Sequence, residues 1–318
     1  METDLTNKVV LITGGAKRVG AAISRLLHAS GANLMIHYKS SLIEARALQA
    51  ELNLQRANSV AIVQGDLLNI PSLPSLVHET VNHFGRLDAL INNASTYYAS
   101  EIGDIDEAKW LDLMGSNLKA PLFLSQAAAA ELRKNHGCIV NITDMHVERP
   151  KKGYIVYSVA KAGLVTLTKS LAHELSPEVR VNAVAPGPVQ WPENNPQFDE
   201  VYRQRVINQT LLKRVGEAED VAKAVKFLIA DAPFITGHVL ADALAQRLIA
   251  LCRAVLQHRA GIVLENSVRG FADAFDVKHG AVGEATGKTD DARFAQQLEQ
   301  FTDGGGFYIV ESVGELHG

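Results

Sequence analysis

Tyr157 and Lys161 stand four residues apart in a stretch of helical periodicity, which places a phenol and an ammonium on one face about one turn apart. A free phenol, with a pKa near 10, is a poor acid–base group at neutral pH, but a neighbouring ammonium favours the phenolate and lowers that value. The pair is a candidate proton donor. Asp144 lies thirteen residues upstream of Tyr157, just past a strand-like run, and Asn117 falls in the long helical pattern before it. Asn92-Asn93-Ala94-Ser95 and Pro186-Gly187 each follow a further apolar run, so polar and turn-forming residues recur where strands end.

A second constellation lies near the start. Thr13-Gly14-Gly15-Ala16-Lys17-Arg18-Val19-Gly20 sits between the first apolar run and the first helical pattern. There the chain must turn tightly and let a pyrophosphate approach the unsatisfied N–H groups of a helix. After the second apolar run, enzymes that choose NAD place a carboxylate against the ribose hydroxyls. Here the segment is His37-Tyr38-Lys39-Ser40-Ser41, whose cation and hydroxyls suit a 2′-phosphate and favour NADPH over NADH. Asp66, after the third run, could accept a hydrogen bond from an adenine amino group or cap a helix.

The elements that must position these residues alternate. Strands are predicted at Val9–Thr13, Asn33–Tyr38, Ser59–Gln64, Ala89–Asn92, Cys138–Ile142, Val179–Val184 and His238–Ala241. Helices are predicted near Val19–Ser30, Leu42–Leu54, Leu73–Phe84, Glu107–Lys134, Val156–Leu175 and Ala218–Ile229. A repeated βα order implies an α/β fold, a doubly wound parallel sheet of the Rossmann type with about seven strands, whose ligand crevice lies at the strands' C-terminal ends. Residues 185–217, with Pro186, Pro188, Pro192 and Pro196, are expected to form a loop-rich flap over that crevice.

These motifs, in this order, resemble the short-chain dehydrogenase/reductase family over Leu5 to Ala241. Within the family they look most like the bacterial pteridine reductases, with Arg18 where most relatives have glycine and Asp144 where most have serine. The resemblance implies an NADPH-dependent reductase acting on a pterin or dihydrofolate ring, with Asp144, Tyr157 and Lys161 catalytic. Tyr157 would deliver a proton to a ring nitrogen as hydride reaches a C=N bond; Lys161 would hold the nicotinamide ribose, and Asp144 would orient the phenol and relay protons. The implied cofactor contacts are Gly14, Lys17, Arg18, Val19, Gly20, His37, Tyr38, Lys39, Ser40, Ser41, Asp66, Leu67, Asn93, Ala94, Ser95, Asn117, Tyr157, Lys161, Pro186, Gly187 and Val189. Substrate would meet Arg18, Ser95, Tyr97, Asp144, Tyr157 and Trp191, with Tyr97 stacked over the pterin. The resemblance also implies a homotetramer. A carbonyl reductase of the same fold and a non-catalytic NADPH-binding protein stay open as alternatives.

The family's last strand usually continues into a Val-Asp-Gly-Gly segment, but here Ala241 runs into Asp242-Ala243-Leu244-Ala245. The expected division is therefore a core at 1–241 and a C-terminal segment of unknown fold at 242–318, with an amphipathic helix at 242–258 and a Gly-rich, polar remainder. It is either a long insertion that ends near Asp303-Gly304-Gly305 or a replaced C-terminus, the second being preferred.

Composition excludes several other classes. A net charge of −4 supplies no basic field for a nucleic-acid backbone or an anionic membrane. Cys138 and Cys252 belong to no CxxC or Cys/His cluster, the histidines show no paired ligand spacing, and no metal is expected. His146 alone among the histidines lies beside the candidate site. Gly283–Thr289 has three residues between its glycines, where a phosphate-binding loop of the Walker type has four. With no basic-then-apolar leader and no run of about 18–20 apolar residues, a soluble cytoplasmic protein is expected.

Overall fold

Residue-by-residue apolar alternation decides which side of the sheet each strand residue packs on. In the computed structural model, which describes residues 4–241 apart from 149, 190–198 and 211, Val10 and Ile12 enter one buried cluster and Leu11 the other. Leu34 and Ile36 likewise face away from Met35. The strands are β1 (Val9–Ile12), β2 (Asn33–Tyr38), β3 (Val60–Gln64), β4 (Ala89–Asn92), β5 (Cys138–Ile142), β6 (Arg180–Ala185) and β7 (Val239–Ala241). Among the described residues they form one parallel sheet in the order β3-β2-β1-β4-β5-β6-β7. The order reverses between β1 and β4, which opens a crevice beyond their C-terminal ends.

Helices α1 (Arg18–Ala29), α2 (Leu42–Gln55), α3 (Leu73–Phe84), α4 (Glu107–Met114), α5 (Ala120–Lys134), α6 (Ile155–Leu175), α7 (Glu200–Gln209) and α8 (Ala218–Lys226) follow in chain order. One face of the sheet is covered by Ile23 and Leu27 of α1, Leu48 and Leu52 of α2 and Val221 and Val225 of α8. The other packs against Leu76 and Val77 of α3, Leu124, Ala128 and Leu132 of α5 and Leu171 and Leu175 of α6. Both faces of a parallel sheet are thus buried, as its near-continuous apolar strands require.

Two expectations need correction. The predicted helix Glu107–Lys134 is continuous but widens into a π-helical turn at Gly115–Lys119, a feature often found at functional sites. The region 185–217 is not loop throughout, because α7 occupies part of its second half, capped by the Asp199 side chain accepting from Tyr202 N at 2.8 Å. The expected helix at 242–258 and the segment after it lie outside the described residues. No described helix is long and apolar enough to cross a membrane.

Candidate active site

The glycine turn and the end of β4 are tied together by Thr13, whose role no sequence motif announced. Its buried Oγ1 accepts from the backbone N–H groups of Asn93 and Ala94, each at 3.0 Å, and donates to Ile91 O at 3.2 Å. Asn93 Nδ2 in turn donates to Thr13 O at 2.9 Å and Gly14 O at 3.1 Å. Gly14 has φ +59°, and Arg18 has φ +52° at the helix start, a conformation that favours glycine.

Gly20 has no room for a side chain, since a Cβ would fall inside the van der Waals shell of Gly14 O and 2.8 Å from Asn93 Nδ2. The turn is a close-packed cradle at the mouth of the crevice, and its residues fit a dinucleotide. Gly20→Ala is expected to destabilise the fold by about 3 kcal/mol, by overpacking against backbone, and to weaken NADPH binding. Chemical denaturation and a fluorescence titration would show both losses; unchanged nucleotide affinity would argue against the cradle.

At the far end of this cradle the polar residues divide. Lys39 and Asp66 pair at 2.9 Å, and that bond holds the Asp66 carboxyl below the ordinary range. Ser40 is exposed and Ser41 half-buried beside them, while Lys17 pairs with Glu44 of α2. His37 and Tyr38, expected among the cofactor contacts, close β2. Both are buried; His37 Nδ1 accepts from Gly14 N at 3.3 Å, which leaves Nε2 to donate to Gly65 O at 3.1 Å. Burial pushes the His37 pKa down, against the pull of Gly65 O, so the ring is neutral as that hydrogen-bond pattern requires. Leu67 packs in the core.

Asn117 sits in the π-helical turn and is fully buried. Its Nδ2 donates to Thr96 O at 3.0 Å and Leu113 O at 2.9 Å, and its Oδ1 accepts from Ser95 Oγ at 2.6 Å. It therefore fixes the loop after β4.

Tyr157, Lys161 and Asp144 do converge. The first turn of α6 is anchored by Ser100, whose Oγ accepts from Val156 N at 3.1 Å. Tyr157 Oη donates to Asp144 Oδ2 at 2.6 Å, and Asp144 Oδ1 accepts from His146 Nδ1 and from His146 N, each at 2.7 Å. Lys161 Nζ, 2 % exposed, donates to Ile142 O at 2.8 Å and lies 5.7 Å from the Tyr157 ring centre.

These contacts overturn the expectation that Lys161 acidifies the phenol. Burial, followed by the charge and hydrogen bond of Asp144, raises the Tyr157 pKa well above the ordinary value. Burial alone would raise Asp144 too, but the His146 ring and the Tyr157 hydroxyl outweigh it and hold the carboxyl below its ordinary range. Burial lowers Lys161 to about 8, against the pull of Asp144. The resting pair is a protonated phenol held by a carboxylate, a stored acid.

Tyr97 meets Tyr157 edge to face, with ring centres 4.8 Å apart, and stacks on Tyr154 at 4.7 Å. Tyr154 covers one face of Tyr97, yet the residue remains 38 % exposed. Lys151 crowns the group, donating to Tyr97 Oη at 3.2 Å with its ammonium 4.3 Å from the Tyr154 ring centre. Pro186, Gly187 and Val189 are half-buried after β6, where Pro186 O accepts from Met145 N at 3.2 Å. Trp191 lies outside the described residues.

The family model described as enoyl-(acyl carrier protein) reductase matches residues 14–242. The chain belongs to the short-chain dehydrogenase/reductase family. Pteridine reductase 1 of Leishmania tarentolae is 38 % identical, across 74 % of this chain and 95 % of that protein. A 3-oxoacyl-acyl-carrier-protein reductase of Staphylococcus epidermidis is 32 % identical, across 74 % of this chain and 96 % of its own length. Among solved structures, a blue fluorescent protein from a metagenomic library in complex with NADPH superposes with a TM-score of 0.70 at 31 % identity. It spans 76 % of this chain and 98 % of that one. This member of the family is a nicotinamide-dependent oxidoreductase.

Proposed function

We propose that the chain reduces a C=N bond of a pterin or dihydrofolate ring with NADPH, and that Asp144 bonded to Tyr157 is the observation that carries this reading. Reduction of a simple ketone builds negative charge on oxygen, and a carboxylate 2.6 Å from the proton donor repels it. A pterin instead offers ring and amino N–H groups that an ionised carboxylate attracts. The half-exposed Tyr97, stiffened by Tyr154, suits a flat heteroaromatic ring. Similarity to pteridine reductase 1 supports the same substrate class.

When bound, NADPH supplies the hydride. The cradle at Gly14, Arg18, Val19 and Gly20 would hold its pyrophosphate, with Asn93 and Ala94 keeping the β4 end against it. Lys39, Ser40 and Ser41 would meet the 2′-phosphate, and Asp66 the adenine. Lys161, with Pro186, Gly187 and Val189, would border the nicotinamide end. Tyr157 gives its proton to the ring nitrogen while Asp144 fixes the hydroxyl, and Arg18, Ser95 and Tyr97 hold the ring.

A second reading, reduction of a 3-oxoacyl or other carbonyl compound, is favoured by the relative from Staphylococcus epidermidis. NADPH oxidation with dihydrobiopterin and dihydrofolate beside a ketone panel separates the two. The expected result is turnover on the pterins at a kcat/KM at least about tenfold above any ketone. Turnover on ketones alone would overturn the pterin assignment.

A further inference from the structure

Tyr157 is buried, so a second turnover needs a path by which its proton is replaced. Besides its bond with the Ser95 hydroxyl, the phenol is the start of a line of short hydrogen bonds. It runs from Tyr157 Oη to Asp144 Oδ2 at 2.6 Å, and from Asp144 Oδ1 to His146 Nδ1 at 2.7 Å. Exposure rises along it, from a buried phenol through an Asp144 side chain 19 % exposed to a His146 side chain 30 % exposed. The line thus ends on a side chain that reaches the surface.

We propose that His146 is the proton entry of the active site, a positioning and relay residue that reloads Tyr157 through Asp144. An ionised carboxylate only accepts, so the Nδ1 that faces Asp144 carries hydrogen and Nε2 is left for water. The balance closes. As hydride, with its electron pair, reaches the ring carbon, the C=N π bond opens, the Tyr157 O–H bond breaks and an N–H bond forms. Phenolate and carboxylate then face each other, and their repulsion draws the His146 Nδ1 proton onto Asp144 Oδ1 as Nε2 takes a proton from solvent, so that the ring stays neutral. A rotation of the carboxyl about Cβ–Cγ presents that proton to Tyr157 Oη, and exchange through water of the Nε2 proton for one at Nδ1 resets the His146 tautomer. The net reaction consumes one proton for each hydride transferred.

The pairing has structural support of its own. Asp144 caps the short 3₁₀ turn Met145–Val147 through His146 N, so the imidazole is held beside the carboxylate by its own backbone. His146→Gln tests the role, because an amide can still bond Asp144 but cannot pass a proton on. The expected result is a kcat reduced about tenfold or more, with KM and NADPH affinity unchanged and activity restored by free imidazole. In the cofactor-free protein, a downfield imidazole Nδ1–H resonance is expected that disappears in His146→Gln and in Asp144→Asn. An unchanged kcat, a loss that imidazole does not restore, or no such resonance would overturn the relay.

The inference rests on the proposed reduction, but the two fail differently. The unaltered protein is first assayed on both substrate panels. Turnover on ketones alone removes the pterin reading and leaves the relay to be decided on that substrate by His146→Gln. No turnover on either panel overturns both.

Discussion

Tyr157→Phe is expected to lower kcat by about three orders of magnitude, within the 10²- to 10⁴-fold range typical of a positioned general acid. The substitution removes one oxygen from a buried ring whose other contacts are the Tyr97 edge-to-face pair and the packing with Leu113, Tyr154 and Val156. Asp144 keeps both of its bonds to His146, so its carboxylate is not abandoned. The fold and the cofactor cradle should therefore be unaffected, and NADPH should bind with wild-type affinity. Single-turnover rates with saturating NADPH, read beside a fluorescence titration, isolate the proton step from binding. If the variant turned over at more than about a tenth of the wild-type rate, Tyr157 would not be the acid.

Why that electrostatic state was hidden from the sequence is instructive. The spacing of Tyr157 and Lys161 placed both on one stretch of α6, as found. It could not show that Lys161 Nζ turns to Ile142 O while the phenol turns to Asp144, because that choice is made by strands brought together across the fold. The bounds of β2, β4 and β5 were legible because each is an apolar run with sharp punctuation at both ends. The π-helical turn was not, since helical periodicity continues through it. What fixes Asn117 is a set of partners that includes Ser95 and Thr96, more than twenty residues away.

Helix α7 was obscured for a different reason. Its prolines upstream dominate the segment, and GluValTyrArgGlnArg has little apolar periodicity, although Asp199 before it is a usable capping signal. The cofactor end was half legible. Position along the strand singled out 37–41 as a unit, but in β2 residues alternate between faces and the last two are buried, so only Lys39, Ser40 and Ser41 are left at the surface of the crevice. Thr13 heads the glycine-rich motif, but its tie to the β4 end was not legible, because a threonine at a strand end carries no signature until the loop it holds is in view.

Lys161 carries the second large effect, and it is one of stability. A buried ammonium whose pKa falls from 10.5 to about 8 is destabilising, because the unfolded chain holds the proton more tightly than the folded one. Below pH 8 both states are protonated and the penalty is present in full. Between about 8 and 10.5 the unfolded state binds more protons, so stability rises with pH, and above 10.5 the penalty is gone. The displacement corresponds to about 3 kcal/mol over that window. Lys161→Met lacks this titration but shares every other one, so the stability of the unaltered protein minus that of the variant should climb by about 3 kcal/mol from pH 7.5 to 10.5. Leaving Ile142 O without its donor shifts the variant by a constant amount and drops out of the slope. Urea unfolding of both proteins at several pH values gives the curve directly. A flat difference would mean that Lys161 is ordinarily solvated, and the buried cation beside Tyr157 would have to be abandoned. A rising one, together with the loss of turnover expected from the variant, would show that the fold tolerates a destabilising charge because the crevice uses it.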